Sequence, residues 1–245
     1  MKYFSTRIFL AVTASLVVVG AAHSQAWPNR PIKFVVPFAA GGANDLMARA
    51  AAEGATKVLG QPVVIDNKPG AGGTLGADLV AKSAPDGYTF LISAAGVISN
   101  HMIKKSMPFK DTDIVPVAMI ALAPSIIVAP PNATYSNLRE FVDASKKAPG
   151  GFNFATAGTG STPHFVAELL KTKYGANLQV VPYKSGNESA TAIMGGQVHA
   201  TSEASIVSLP KITGGKMKAL AETWKARLSA YPSLSTTAEQ GFPDI

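Results

Sequence analysis

Two glycine-rich turns, each placed between a short apolar strand and a helix, constrain the fold of this chain most strongly. The first spans residues 35–45 (VVPFAAGGAND) and the second residues 154–164 (FATAGTGSTPH). Apolar strands that alternate with helices in this way are typical of parallel sheets covered on both faces. The sequence therefore predicts an α/β fold.

The same alternation continues along the rest of the chain. The predicted strands are 32–36, 63–66, 89–93, 118–122, 126–129, 153–156, 178–181, 199–204 and 216–221. Helices are predicted from Asn44 or Asp45 to Leu59, over 74–82, after a cap at Ser136, after a cap at Thr162 and after Asn187. The pattern favours two lobes over one long sheet, with crossovers near 123–125 and 223–225. Lobe one is then 27–123 plus 226–245, and lobe two is 124–225.

The N-terminus has the composition of a secretory signal peptide. Lys2 and Arg7 precede the uncharged apolar stretch Ile8–Ala22, and Ser24-Gln25-Ala26 fits a small-x-small cleavage site. A membrane anchor is the alternative, but a span needs about 20 apolar residues and this stretch is shorter. We therefore predict that residues 1–26 are a signal peptide cleaved near Ala26, and that the protein is periplasmic.

Composition excludes several classes of function. The chain has no cysteine, which excludes thiolate metal sites and cysteine nucleophiles. His101 and His199 are isolated in sequence, so we predict no metal site and no cofactor. The net charge is +7, but glycine and apolar residues interrupt the basic residues of 211–227, and the stretch lacks the aromatic interleaving that single-strand binders use. We predict no nucleic-acid partner.

The two glycine turns favour the binding of an anion. A helix begins with unpaired backbone N–H groups and a partial positive charge, so two helix starts that face one cleft would hold a carboxylate. In the second turn Thr156, Thr159, Ser161 and Thr162 add hydroxyl donors. The structural alternative is that the glycines serve turn geometry alone and that Thr162 only caps its helix. Glu203, at a strand end, either faces the cleft and accepts a ligand ammonium or hydroxyl, or caps the following helix.

Catalysis and nucleotide binding have weaker support. Ser161 and His164 are the only candidate nucleophile and base, but the G-x-S-x-G elbow and an orienting acid are missing. In the loop 69–76 the glycines give G-x-G-x-x-x-G, one residue too long for a dinucleotide fingerprint. We predict that the chain is not an enzyme, that it has no catalytic residue, and that loop 69–76 is scaffold.

A series of short motifs resembles one family, the Bug receptors, which are the periplasmic solute receptors of tripartite tricarboxylate transporters. The motifs, in chain order, are Trp27-Pro28-x-Arg30-Pro31-Ile32, Val36-Pro37-Phe38-x-x-Gly41-Gly42-x-x-Asp45, Leu59-Gly60-Gln61, Asn67-x-Pro69-Gly70-Ala71-Gly72-Gly73, Pro85-Asp86-Gly87-Tyr88-Thr89, Gly158-x-Gly160-Ser161-x-x-His164, Val181-Pro182-Tyr183-Lys184, Gly195-Gly196-Gln197-Val198 and Ala238-Glu239-x-Gly241-Phe242-Pro243. Each motif is modest, but the ordered set is specific.

The resemblance implies a two-lobed, Venus-flytrap binding protein of type II-like topology, with a small organic acid between the lobes. It also implies a monomer that docks on the membrane components of a tripartite transporter. In the family, the loops matching 38–45 and 156–164 hold a ligand carboxylate. Together with Glu203, the residues expected to bind the ligand are Phe38, Gly41, Gly42, Asn44, Asp45, Thr156, Gly158, Thr159, Gly160, Ser161 and His164.

The chain departs from the family pattern at three places. Ser185 separates Lys184 from Gly186, and Glu203 stands where aspartate is common. Family members continue for several dozen residues past the position of Ile245, which predicts that the C-terminal part of lobe one is missing and that thermal stability is low. Two other functions remain open: an exported hydrolase that uses Ser161 and His164, and a sensor that presents its ligand to a membrane kinase.

Overall fold

Two separate sheets, each flanked by helices, make up the described part of the chain, which confirms the α/β prediction. The structure is a computed structural model that describes residues 27–245. The predicted signal peptide, residues 1–26, lies outside the described residues. Among residues 27–245 no helix is long and apolar enough to cross a membrane.

The first sheet has three parallel strands. Its elements, in chain order, are β1 (Ile32–Val36), α1 (Ala43–Leu59), β2 (Val63–Asn67), α2 (Thr74–Ala81), β3 (Thr89–Leu91) and the short α3 (Ala95–Ile98). The strand order is β2-β1-β3, with Phe34 opposite Ile65 on one side and Phe90 on the other. Because β1 is central, the first glycine turn leaves the middle of the carboxyl edge of this sheet.

The second sheet has five strands and mixed direction. Its elements are β4 (Ser125–Ala129), α4 (Leu138–Lys147), β5 (Phe152–Thr156), α5 (Thr162–Tyr174), β6 (Leu178–Pro182), α6 (Gly186–Met194), β7 (Ala200–Ala204), α7 (Ser205–Thr213) and β8 (Lys218–Glu222). The order is β6-β5-β7-β4-β8, in which β5 is parallel to β6 and β7 while β4 runs antiparallel to β7 and β8. The second glycine turn therefore leaves the carboxyl edge of three parallel strands.

Both faces of the second sheet carry a hydrophobic core. On one face Phe141, Phe154 and Leu170 are fully buried, and on the other Ile126 and Ile193 are fully buried. Burial of a large apolar side chain contributes about 1.5–3 kcal/mol to folding. The two cores fix the position of the strands whose ends carry the second turn.

Two helix N-caps, those of α1 and α4, differ from the sequence prediction. The N-cap of α1 is Gly42, since the side chain of Asp45 turns back to accept the Gly41 N–H instead of capping. The N-cap of α4 is Asn137, whose Oδ1 accepts the N–H of Glu140 at 2.9 Å. The prediction that α1 ends at Gly60 is confirmed: Gly60 has a φ of 67°, which glycine adopts without strain.

Helix α5, the second of the two helices predicted to bind an anion, also begins one residue earlier than the sequence predicted. Ser161, in an extended conformation, is the N-cap of α5, and Thr162 is already helical. No side chain caps the first turn of this helix. The predicted capping role of Thr162 is therefore wrong, and the proline stands at the second helical position.

The predicted strand 118–122 does not form. Residues 114–124 have no helix or strand, and several apolar side chains in this part of the chain are exposed: Val117 by 78%, Met119 by 75% and Leu122 by 61%. The alternating apolar pattern is a strand signal, but a strand also needs a neighbour for its backbone N–H and C=O groups. Within the described residues no strand pairs with this segment.

The C-terminal segment 226–245 packs on the second sheet, not on the first as the sequence predicted. Thr236 forms a parallel bridge with Glu222, the last residue of β8. Phe242 is buried in the core with Phe141, and Leu234 is buried with Ile126. Two buried apolar side chains and a backbone bridge attach the segment to β8, because it follows β8 directly and reaches the neighbouring core faces.

Candidate functional site

One cavity of about 1050 Å³ is lined by residues that follow strand ends of both sheets. Gly42 at the start of α1 and Ser161 at the start of α5 both line it. Open α/β sheets bind ligands outside the carboxyl ends of their parallel strands. The structure therefore brings the two glycine turns to one crevice.

The start of α1 presents backbone amides to the cavity. Gly42, Ala43 and Asn44 line it, and no side chain caps this first turn in the described residues. Gly42 is extended, with φ −79° and ψ 169°, so the helix begins at Ala43. The first N–H groups of a helix have no partner within the helix. These amides are available to an anion in the cavity.

Asp45 holds this turn in place. Its buried carboxylate accepts the Gly41 N–H at 2.9 Å, two N–H groups of Arg49 at 2.9 and 3.0 Å, and Asn67 Nδ2 at 3.0 Å. Asn67 Nδ2 also donates to the carbonyl of Phe38. Burial opposes ionisation, but the hydrogen bonds from Arg49, Gly41 and Asn67 leave the pKa of Asp45 lowered. Asp45 does not line the cavity, so it acts as a positioning residue.

The start of α5 forms the opposite wall. Gly160, Ser161, Thr162 and Pro163 line the cavity. The hydroxyl of Ser161 donates to the carbonyl of Gly158 at 2.6 Å, as does its backbone N–H at 3.1 Å. The hydroxyl oxygen of Ser161 can still accept a hydrogen bond, but its proton is already donated to the carbonyl of Gly158. Because Pro163 has no N–H, the amide of Thr162 is the first helical donor on this side.

Two other predicted binding residues, Thr156 and His164, support the second turn through side-chain hydrogen bonds, and a third, Thr159, is exposed. Thr156 is fully buried, and its Oγ1 accepts the N–H of Gly158 at 3.3 Å. His164 Nδ1 accepts the N–H of Gly160 at 3.4 Å, and burial lowers the pKa of this imidazole. Thr159 turns its carbonyl towards the first sheet. None of the three lines the cavity.

Backbone segments from the two sheets meet closely beside the cavity. A Cβ added to Gly72 would lie 1.9 Å from the carbonyl oxygen of Thr159, and one added to Gly96 would lie 2.5 Å from the carbonyl oxygen of Gly160. Only glycine allows these approaches. Gly72 belongs to the loop predicted as scaffold, and residues 69–76 do not line the cavity.

Glu203 lies at the end of β7 and lines the cavity. Its Oε1 accepts the N–H of Ala204 at 3.0 Å, while its Oε2 is buried and has no partner among the described residues. Burial raises the pKa of Glu203 to about 7, against smaller opposing effects of the Ala204 N–H and of Lys211. The carboxyl group touches the backbone of Gly186 at the start of α6, where a Cβ would meet Oε2 at 2.0 Å.

The predicted site residues thus divide into two groups. Those that line the cavity are Phe38, Gly42, Asn44, Gly160, Ser161 and Glu203; those that do not line it are Gly41, Asp45, Thr156, Gly158, Thr159 and His164. The structure adds lining residues that sequence reasoning missed, among them Ser93 and Ala94 after β3, Ala157 and Gly186. The carboxyl-edge rule could have identified Ser93 and Ala94, because they directly follow a parallel strand.

The charge of the lining is unusual for an anion site. Among the described residues that line the cavity there is no lysine, arginine or histidine, and the charged ones are Asp113 and Glu203. No group of three or more His, Asp or Glu that could hold a metal ion was found within residues 27–245. An acid in this cavity would be bound by neutral amide and hydroxyl donors.

Comparison with known proteins gives consistent matches over nearly the whole chain. Residues 47–245 match the model of the TctC family, described as the tripartite tricarboxylate transporter family receptor. Protein BugT of Bordetella pertussis is 36% identical over 246 residues, which span 98% of this chain and 76% of BugT.

Solved structures with ligands are also similar. MatC of Rhodopseudomonas palustris, solved with bound malate, has a TM-score of 0.83 and 31% identity over 89% of this chain and 74% of its own. Rpa4515 of R. palustris, solved with adipate, has a TM-score of 0.84 and 32% identity over 89% of this chain and 73% of its own. The predicted family and the predicted binding-protein fold are both confirmed.

Proposed function

This chain belongs to the tripartite tricarboxylate transporter receptor family, and on that premise we propose that it captures a small organic acid and delivers it to the membrane components of such a transporter. The family consists of periplasmic solute receptors. We propose that this protein works in the same compartment after removal of residues 1–26, as a monomer.

The observation that carries the proposal is that two uncapped helix starts line one cavity. The amides of Ala43 and Asn44 and that of Thr162 belong to these helix starts, with the hydroxyl oxygen of Ser161 beside them. Helix N-termini attract anions through their free N–H groups and their partial positive charge. A ligand carboxylate between α1 and α5 would be held without a buried counter-charge.

The number of donors is sufficient for useful affinity. A hydrogen bond to a charged group contributes roughly 1.5–3 kcal/mol. Three such bonds contribute roughly 4.5–9 kcal/mol in total, and the upper part of this range meets the roughly 8 kcal/mol that micromolar binding requires. Micromolar capture of a small acid is therefore within reach of this site, and malate and adipate in the two similar structures are acids of suitable size.

Closure is proposed to involve two lobes, 27–123 and 124–225, that meet at the cavity. The close approaches of Gly72 to Thr159 and of Gly96 to Gly160 are contacts between these two parts of the chain. A ligand between the lobes would be shielded from water on this side. The segment 226–245 is assigned to the second lobe because of its packing on β8.

Calorimetric titration with a panel of acids tests the proposal. The panel contains malate, adipate, citrate, an amino acid and an aromatic acid, with a neutral sugar as a control. We expect at least one acid to bind with a Kd in the micromolar range or below, and the sugar not to bind. Absence of binding by every acid, with a folded protein, would refute the proposed function.

The hydrolase alternative lacks its central contact. Ser161 donates its proton to the carbonyl of Gly158, and His164 Nδ1 accepts from the backbone of Gly160, so neither side chain engages the other. A nucleophile and its base need a hydrogen bond of about 2.6–3.2 Å. A sensor role would use the same cavity, and a pull-down of ligand-loaded protein against membrane extracts would distinguish its partner from a transporter.

A further inference from the structure

The loop 70–73, between β2 and α2, has an uncommon backbone. Its four residues all have a positive φ: 140° at Gly70, 49° at Ala71, 63° at Gly72 and 90° at Gly73. Among the described residues Ala71 is the one residue other than glycine with a positive φ. This conformation is strained for a residue with a Cβ, and it persists only where surrounding contacts hold it. Contacts from elsewhere in the chain must therefore fix the shape of this loop.

Two polar side chains further along the chain hold the loop. The ammonium of Lys104 donates to the carbonyl of Ala71 at 2.6 Å and to Oγ1 of Thr74, the first residue of α2. The side-chain amide of Asn100 donates through Nδ2 to the carbonyl of Gly72 at 3.3 Å and to the same Thr74 oxygen at 3.4 Å. Both central carbonyls of the loop and the start of α2 are thus bound to one short segment.

The loop contacts turn 158–160, which follows β5 of the second sheet. A Cβ added to Gly72 would lie 1.9 Å from the carbonyl oxygen of Thr159. Asn100 contacts the same turn, because a Cβ added to Gly160 would lie 1.5 Å from its Oδ1. That oxygen is buried and has no hydrogen-bond partner within the described residues, so it packs directly against the glycine. The loop and Asn100 together form a seat for the turn.

The turn carries the amide donors on the second side of the cavity. It runs directly into Ser161, the N-cap of α5, and into Thr162, whose amide is the first helical donor there. Ser161 and Thr162 line the cavity, whereas Asn100 and Lys104 do not. Any effect of Asn100 or Lys104 on a ligand therefore acts through turn 158–160 and not by contact with the ligand.

We propose that Asn100 and Lys104 are positioning residues that hold loop 70–73 as a seat for turn 158–160, and that this seat slows the release of a bound acid. The inference rests on the proposed function, since it concerns closure around the same ligand. The seat joins the part of the chain before residue 124 to the part after it. Contacts that form after the first encounter change the dissociation rate constant, koff, more than the association rate constant, kon.

Stopped-flow fluorescence with malate and with adipate measures kon and koff, with Trp27 in the cavity lining as the natural reporter. Lys104→Met removes the ammonium and keeps the length of the side chain. Loss of a hydrogen bond from a charged donor corresponds to about tenfold or more in an equilibrium constant, so we expect koff to rise at least tenfold in this variant. We expect kon to change by less than about threefold.

The matched control is Lys105→Met, at the exposed neighbouring residue, which should leave both rate constants unchanged. A second comparison asks whether Lys104 acts through the seat. Gly72→Ala disturbs the same contact from the side of the loop, so the effects of the two changes on koff should not multiply. We expect the double variant Gly72→Ala/Lys104→Met to release the acid at most about threefold faster than the faster single variant. Asn100→Ala removes the other anchor and should also raise koff.

The outcomes separate this inference from the proposed function. An unchanged koff in folded Lys104→Met, even with a lower urea midpoint, would show a merely structural role and overturn the inference while the receptor function stands. Full multiplication of the two effects in the double variant, or an equal rise of koff in Lys105→Met, would also overturn it. Failure of the natural protein to bind any acid would overturn both. If Lys104→Met does not fold, Asn100→Ala gives the same comparison.

Discussion

Removal of a single backbone amide at the start of α1 tests the binding mode directly. Ala43 is the first helical residue, it lines the cavity, and Gly42 before it is extended at ψ 169°. Proline is favoured at this helical position and requires an extended residue before it. Ala43→Pro therefore deletes one N–H while leaving the helix free to form.

The expected effect is the loss of one hydrogen bond to a charged oxygen. Such a bond contributes roughly 1.5–3 kcal/mol, which corresponds to a 10- to 150-fold weaker Kd at 25 °C. Stability is expected to change by less than about 1 kcal/mol, because the deleted N–H has no partner within the described protein and the proline reduces the freedom of the unfolded chain. Calorimetric titration with the tightest-binding acid gives the Kd, and a urea titration gives the stability.

The matched control is Ala43→Gly, which removes a methyl group and keeps the N–H. We expect it to bind the acid within a few-fold of the natural protein. A folded Ala43→Pro variant with an unchanged Kd would refute the assignment of the carboxylate to the amides of α1. An equal loss in both variants would refute it as well, since the effect would then follow the side chain.

Three further predictions address the contacts around the cavity. Gly72→Ala places a Cβ 1.9 Å from the carbonyl oxygen of Thr159, so we expect calorimetry to show at least tenfold weaker acid binding. The matched control is Gly196→Ala, because Gly196 has a similar φ of 67° but open space around it; this variant should bind the acid normally. Asp45→Asn should unfold at lower urea concentration at pH 7. The pKa of Asp45 is lowered in the folded protein, so the carboxylate stabilises the fold above the unfolded pKa of 3.8, and this stabilisation is lost as pH falls towards the folded pKa. The free energies of unfolding of the natural protein and of Asp45→Asn should therefore converge in acid. A difference that stays constant with pH would contradict this. Glu203 has a raised folded pKa, so the free energy of unfolding should fall as pH rises from 4.5 to about 7, and urea titrations of Glu203→Gln should lack that part of the slope.

Local signals were enough to predict most of the elements. The β-branched run 32–36 and the αL stop at Gly60 are properties of a few neighbouring residues, and both are found in the structure. The predicted strand 118–122 does not form, and the neighbouring residues in the sequence could not have shown this. Its apolar alternation is present, but pairing depends on a partner elsewhere in the chain, and the described residues supply none.

The same distinction applies to the candidate site. The glycine turns were recognisable because strand, glycine and helix follow one another in sequence, so Gly42 and Ser161 were identified correctly as neighbours of one cavity. Whether a side chain faces the cavity depends on contacts across the fold. Asp45 was predicted to bind the ligand, but Asn67 of β2 and Arg49 of its own helix draw it behind the turn.

The glycine contacts between the two sheets bear on how a cavity without cations would hold the acid that we propose as its ligand. Neutral amide donors are weak in water, where the carboxylate has equivalent partners, and stronger where water is excluded. The approaches at Gly72 and Gly96 bring backbone against backbone beside the helix starts, at distances that leave no space for a side chain. Gly96 lines the cavity and Gly72 lies outside the lining, so we expect both contacts to limit the access of water to the amides of α1 and α5. Affinity for an acid should therefore depend as much on closure at these glycines as on the donors themselves.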